Sequence, residues 1–149
     1  MNIYFACSIT GGRDFEPVYQ AIIAALLEDG HIVPTAHLAE SSVKAMEATV
    51  SAREVFERDV AWIKDCEALI AEVSTPSHGV GYEVAYALSI GKPVLCIYQE
   101  GRPISKMLSG NSHPHIQVKS YHEKADAISN IRSFLSKNQP FVNLITNSV

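Results

Sequence analysis

Two carboxylates stand where the sequence pattern calls for apolar side chains. In HGVGYEVAYALSIGKP, residues 78 to 93, a helix beginning near Gly79 puts Val80, Glu83, Val84, Ala87 and Leu88 on one stripe of its surface. In SAREVFERDVAWIKDC, residues 51 to 66, a second stripe runs through Ala52, Val55, Phe56, Asp59, Val60 and Ile63, with Asp59 in its middle. A buried, unpaired carboxylate is costly, so an acid on an inward stripe is bonded, paired or kept for chemistry. Glu83 falls in the expected first turn of its helix, where the dipole would keep it ionised and available as a nucleophile. A helix-start glutamate satisfying backbone donors reads the same way. Asp59 has its own alternative, an ion pair with Arg53 or Arg58. Two inward acids together point to nucleophilic or acid–base catalysis.

Other residues could complete such a site. The loop CSITGGR, residues 7 to 13, puts small residues and two glycines between a strand and a helix. Backbone N–H groups can there approach an anion, with Arg13 as a charge partner, which suggests phosphate; an ordinary turn would use the same residues. HGVGYEV lacks the third glycine of a dinucleotide fingerprint, so a nicotinamide site is not expected. Ser74, Thr75 and Ser77, and later SGNSH at 109 to 113, supply neutral donors. Tyr4 lies in an apolar strand, where its hydroxyl would need a partner. The six histidines form no metal-binding spacing, so neither a metal nor another cofactor is expected.

The elements that must position these residues follow from the apolar pattern. Strand-like runs at 2 to 7, 31 to 35, 67 to 73, 92 to 98 and 115 to 121 alternate with amphipathic stretches at about 15 to 29, 44 to 65, 80 to 90 and 122 to 136. This alternation predicts an α/β fold, a three-layer sandwich around a five-stranded parallel sheet. In such sheets ligands bind beyond the carboxyl ends of the strands, here the loops 8 to 14, 36 to 43, 74 to 79 and 99 to 114. The 149 residues suit one domain over 1–137 with a tail over 138–149. A net charge of −4 without a basic run argues against nucleic acid as partner. No apolar run is long enough to span a bilayer, and Cys7, Cys66 and Cys96 read as buried reduced thiols, so a cytoplasmic protein is expected.

YFACSITGGR at 4 to 13, ERDVAWI at 57 to 63, AEVSTPSHGVGYEVAYALSIGKPVLCIY at 71 to 98, and the spacing of Asp59 to Glu83 carry a resemblance over residues 2 to 136. The chain resembles the 2'-deoxynucleoside 5'-phosphate N-hydrolases of the nucleoside 2-deoxyribosyltransferase superfamily. The resemblance implies a Rossmann-like homodimer that splits deoxynucleoside monophosphates into 2-deoxyribose 5-phosphate and free base. It makes Glu83 the nucleophile, Asp59 the acid that assists the leaving base and Tyr4 the residue that positions the nucleophile. Ser8, Ile9, Thr10, Gly11, Gly12, Arg13, Ser77 and Gly79 would hold the substrate, His37 would lie near the base, and Ser112 would reach the phosphate of the neighbouring subunit. Superfamily transferases acting on free nucleosides carry aspartate at the position of Ser77; a serine can donate to a phosphate that an aspartate would repel. The chain departs from the family at Cys7, where glycine is usual, and at Thr10, where arginine is usual. A transferase on free nucleosides, a ribonucleotide N-glycosidase and a nucleotide sensor without turnover are the alternative readings.

Overall fold

The computed structural model describes residues 1–139, and the tail expected beyond Pro140 lies outside the described residues. The elements follow in the order β1 (Ile3–Ala6), α1 (Glu16–Glu28), a short 3-10 helix (Ala36–Ala39), α2 (Val43–Glu47), α3 (Ala52–Asp65), β2 (Ala68–Glu72), α4 (His78–Ser89), β3 (Val94–Gln99), α5 (Lys106–Ser109), β4 (Ile116–Tyr121) and α6 (Lys124–Lys137). The four strands pair in parallel in the order β1-β2-β3-β4.

Among the described residues the sheet therefore has four strands where five were expected. The run HIVPT at 31 to 35 meets β1 only through a single parallel bridge, Asn2 to Ile32. Pro34 has no N–H to extend a ladder, and the chain turns there into the 3-10 helix. Thr35 replaces the missing strand atom with its side chain: its Oγ1 accepts the Phe5 N–H at 2.9 Å. The expected helix over 44 to 65 is likewise two helices. Ser51 starts the second with a capping box, its Oγ accepting from Glu54 N while Glu54 accepts from Ser51 N.

Side chains alternate across the sheet, and each face is covered. Ile3, Phe5, Ala68, Ile70, Leu95 and Ile97 pack under α1 and α6. Tyr4, Ala6, Leu69, Ala71, Val94 and Cys96 pack under α3 and α4. All four residues of β1 are fully buried, because both faces of the parallel sheet are covered by helices. From β1 the chain leaves toward the bridge at Ile32, then returns on the opposite face to β2, so the connections diverge between the carboxyl ends of β1 and β2. A crevice at such a point is where open α/β sheets bind ligands.

Candidate active site

Tyr4 is wholly buried in β1 on the face covered by α4, and its hydroxyl donates to Glu83 Oε1 at 2.6 Å. Glu83 lies in the second turn of α4, which begins at His78, rather than in the first turn as expected. Its carboxyl is pushed up to about 7, first by burial, with the Tyr4 hydrogen bond opposing that shift and Asp59 adding to it. Burial thus works against the helix dipole, whose influence weakens beyond the first turn. Asp59 projects from α3 toward the same space. A cavity of about 150 Å³ is lined by both acids together with Phe56, Val60, Ile63, Gly79 and Tyr82.

Of the α3 stripe only Ile63 is buried, and Phe56 is 53% exposed. The stripe is the wall of an open cleft rather than core: Phe56 faces Tyr82, whose ring stacks on Tyr86, across the gap between α3 and α4. Asp59 does form the ion pair that was its alternative reading, with Arg58 Nε at 2.8 Å. Burial nonetheless holds its carboxyl above the usual range, with Arg58 opposing and Glu47 reinforcing the rise. Glu47 forms an ion pair with Arg58 at 3.1 Å and lies 3.2 Å from His37 Nε2. The Arg58 guanidinium covers the Trp62 ring, and the His37 ring meets Trp62 edge-on. His37 thus reaches the acids through Glu47 and Arg58.

At the other end of the crevice, Ser8 is fully buried and its hydroxyl has no partner. Gly11 packs so closely that a Cβ there would lie 2.4 Å from the Pro76 carbonyl and 2.9 Å from Ser8 Oγ. Gly12 has φ +135°, a conformation L side chains rarely adopt. The loop 8–12 is therefore pressed against the loop 74–77. Ser77 caps α4, its Oγ accepting from Val80 N at 3.3 Å, which leaves the hydroxyl proton free to donate. His78 and Gly79 are in the first turn of this 12-residue helix, where N–H groups lack intrahelical partners. α1 is a poorer anion site, since its first turn already holds the Glu16 carboxylate, bonded to Arg13 and Ser41.

Arg13 lies near this cradle, but its guanidinium is engaged. It donates to the carbonyls of Leu38 at 2.8 Å, Glu40 at 3.1 Å and Ser8 at 3.3 Å, and to Glu16 at 3.0 Å, stapling loop 8–14 to the segment after the 3-10 helix. Ile9 is half-buried and Thr10 exposed on the same loop. Ser112 is exposed between α5 and β4. A larger cavity, about 670 Å³, lies along α4 and α5 and includes Ser77, Val84, Ser105 and Asn111 but neither Glu83 nor Asp59. Among the described residues, no group of three or more His, Cys, Asp or Glu could hold a metal ion, and no helix is long and apolar enough to cross a membrane.

Sequence reasoning missed Glu47, Trp62 and Glu72. Only Glu72 left a signal, as the charged residue closing the otherwise apolar strand run ALIAE.

The model of the nucleoside 2-deoxyribosyltransferase family matches residues 3–135. A Methanococcoides burtonii protein named as a 2'-deoxynucleoside 5'-phosphate N-hydrolase is 41% identical over 119 residues, 80% of this chain and 98% of that protein. The 5-hydroxymethyl-dUMP N-hydrolase of Mus musculus is 37% identical over 128 residues, 83% of this chain and 73% of that protein. Among solved structures, the CMP N-glycosidase of Clostridium botulinum superposes with a TM-score of 0.67 at 18% identity, covering 89% of this chain and 98% of that one; this likeness concerns the fold.

Proposed function

The chain belongs to the nucleoside 2-deoxyribosyltransferase family, and on that premise we propose that it hydrolyses the N-glycosidic bond of 2'-deoxynucleoside 5'-monophosphates, giving 2-deoxyribose 5-phosphate and free base. The observation that carries the reading is the partly buried Glu83 carboxyl, held by Tyr4 at 2.6 Å in a cavity that Asp59 also lines.

The chemistry is that of a retaining glycosidase. Tyr4 occupies Glu83 Oε1 and orients the carboxylate, leaving Oε2 to attack C1' of the sugar. As the C1'–O bond forms and the C1'–N bond breaks, the electron pair passes to the base nitrogen. A protonated Asp59 delivers the proton that neutralises the departing base, a role its raised pKa suits. Water then attacks C1', giving its proton to the Asp59 carboxylate and releasing Glu83. A nucleophile whose pKa lies at about 7 is ionised in half the molecules at neutral pH, and its low solvation makes the ionised form reactive.

The 5'-phosphate is assigned to the opposite end of the crevice. Ser8 and Ser77 offer hydroxyl donors, Gly79 an N–H at the α4 terminus, and Ile9, Thr10, Gly11 and Gly12 a close backbone approach. Arg13 supports this loop through its carbonyl bonds and adds positive charge behind it. Phe56 and Tyr82 offer exposed aromatic faces for the base, with His37 farther along the same wall.

The reading extends to a cytoplasmic homodimer whose catalytic domain spans 1–137. Three buried free thiols support a reducing compartment. Exposed Phe56, Tyr82 and Met107 support association, and Ser112 would then reach the phosphate of the neighbouring subunit. The decisive experiment measures base release from deoxynucleoside and ribonucleoside 5'-monophosphates and from free nucleosides, with and without an acceptor base. Release from deoxy monophosphates, lost in Glu83→Ala, is expected; exchange confined to free nucleosides would overturn the reading in favour of a transferase.

A further inference from the structure

Glu72 ends β2 in full burial, and among the described residues it forms no ion pair. The alternation along the strand turns it to the α1 and α6 face, away from Tyr4, Glu83 and Asp59, so the chemistry above does not use it. Its surroundings consist of donors. Ser74 N approaches its two oxygens at 3.4 and 3.3 Å, Ser74 Oγ makes a short hydrogen bond to Oε1, and Tyr121 Oη donates to Oε1 at 2.9 Å. Tyr19 Oη also faces this carboxylate without closing a well-formed hydrogen bond. For stability alone an apolar side chain would serve better than a buried carboxylate without a cation.

The hydrogen bonds lead to one segment. Ser74 is 5% exposed, and while its hydroxyl donates to Glu72 it accepts the Gln99 N–H at 2.8 Å, which ties the start of the 74–77 loop to β3. Two residues on, the Pro76 carbonyl sits where a Cβ on Gly11 would come within 2.4 Å of it, and a Cβ on Gly12 would meet Thr75 Cγ2 at 3.6 Å. Ser77, the next residue, caps α4. A displacement of Ser74 would move Pro76 and Ser77 together and open the space between the two loops.

We propose that Glu72 is a positioning residue for the 5'-phosphate: through Ser74 it sets the 74–77 loop against the 8–12 loop and so fixes the spacing of the donors that receive the phosphate. The proposal rests on the monophosphate reading of the site. It predicts a separation between binding and chemistry, because the loop bonds and the Tyr4–Glu83 bond lie on opposite faces of the sheet.

The experiment compares KM, kcat and Tm of wild type, Glu72→Gln, Ser74→Ala and Tyr121→Phe on the deoxynucleoside monophosphate that the wild type cleaves fastest. Glu72→Gln turns an amide N–H2 against one of the donors, and Ser74→Ala removes the link to the loop. Each is expected to raise KM about tenfold with kcat held within about threefold, the scale of one lost charge-assisted hydrogen bond. Tyr121→Phe removes a donor from β4 but leaves the loop tied, and is expected to lower Tm while KM stays unchanged. Should Glu72→Gln fail to fold, Ser74→Ala decides. Unchanged KM in Ser74→Ala, or a rise in Tyr121→Phe equal to that in Ser74→Ala, overturns the role of Glu72 alone. A wild type that cleaves no monophosphate overturns the substrate reading and this proposal with it.

Discussion

Replacing Tyr4 by phenylalanine isolates what the tyrosine hydroxyl does for the nucleophile. The ring is wholly buried between the sheet and α4, so phenylalanine keeps its packing and loses only the 2.6 Å hydrogen bond to Glu83. That bond favours the ionised carboxylate and is the leading influence opposing burial. A hydrogen bond to a charged group is worth about 1.5–3 kcal/mol, and about 1.4 kcal/mol corresponds to one pH unit. The Glu83 carboxyl, at about 7 in the wild type, should therefore rise by roughly one to two units. Because the nucleophile must be ionised, the acid limb of kcat/KM moves to higher pH by the same amount. At pH 7 the ionised fraction falls from about one half to about one tenth or less, so activity drops roughly five- to fiftyfold and recovers in part as the pH is raised. The assay is initial-rate base release across pH 5 to 10, with circular dichroism confirming the fold. A uniform loss at every pH with the limb unmoved would refute the argument, since Tyr4 would then act by geometry alone.

Three further outcomes follow from the same geometry. Glu83→Gln should abolish turnover yet stabilise the protein at alkaline pH. With its pKa raised from 4.5 to about 7, folded Glu83 binds more protons than unfolded Glu83 across that window, so its stabilising contribution is complete below 4.5 and lost as pH rises through 7. The gain in the glutamine variant should reach about 3 kcal/mol at pH 8 and shrink toward pH 4, read from urea unfolding at both pH values. Arg58→Gln removes the cation bonded to Asp59 and should raise its pKa further, moving the basic limb of the pH profile upward; a limb displaced downward would contradict the acid role. Gly11→Ala forces a Cβ to within 2.4 Å of the Pro76 carbonyl, so the two loops must part. Monophosphate KM should rise about tenfold or more, with a stability loss of about 1–3 kcal/mol measurable by thermal unfolding.

Much of the site was legible because helical periodicity is a local property. The spacing of Val80, Val84, Ala87 and Leu88 fixed the direction of Glu83, and these four residues are indeed buried on one face of α4. The same logic gave the direction of Asp59 but misjudged its setting. Phe56 has an inward pattern, yet its side chain is largely exposed and borders a cleft. The fifth strand failed for a related reason. HIVPT has the apolar character of a strand, but pairing depends on the partner's exposed edge, and Pro34 together with the Thr35 side chain ends the ladder after one bridge. Ser51 with Glu54 did carry the signal that divides 44–65 into two helices.

Sequence by itself determined the class of fold, the family, and the identity of the paired acids, because residue type and local spacing encode them. Tertiary structure alone decided their chemical state. Burial beneath α4 and the approach of Asp59 from another helix bring Glu83 to about 7, against the influence of the dipole that its position along the chain suggested. The tertiary structure also decided that Arg13 holds two loops together, that the first turn of α1 is occupied by Glu16 while that of α4 carries no acid, and that Glu72, on the far side of the sheet from the two acids, bonds Ser74 at the start of the 74–77 loop. Each of these depends on groups far apart in sequence meeting at one distance and one degree of burial. Electrostatic free energy varies steeply with both, and neither is a property of the chain read one residue after another.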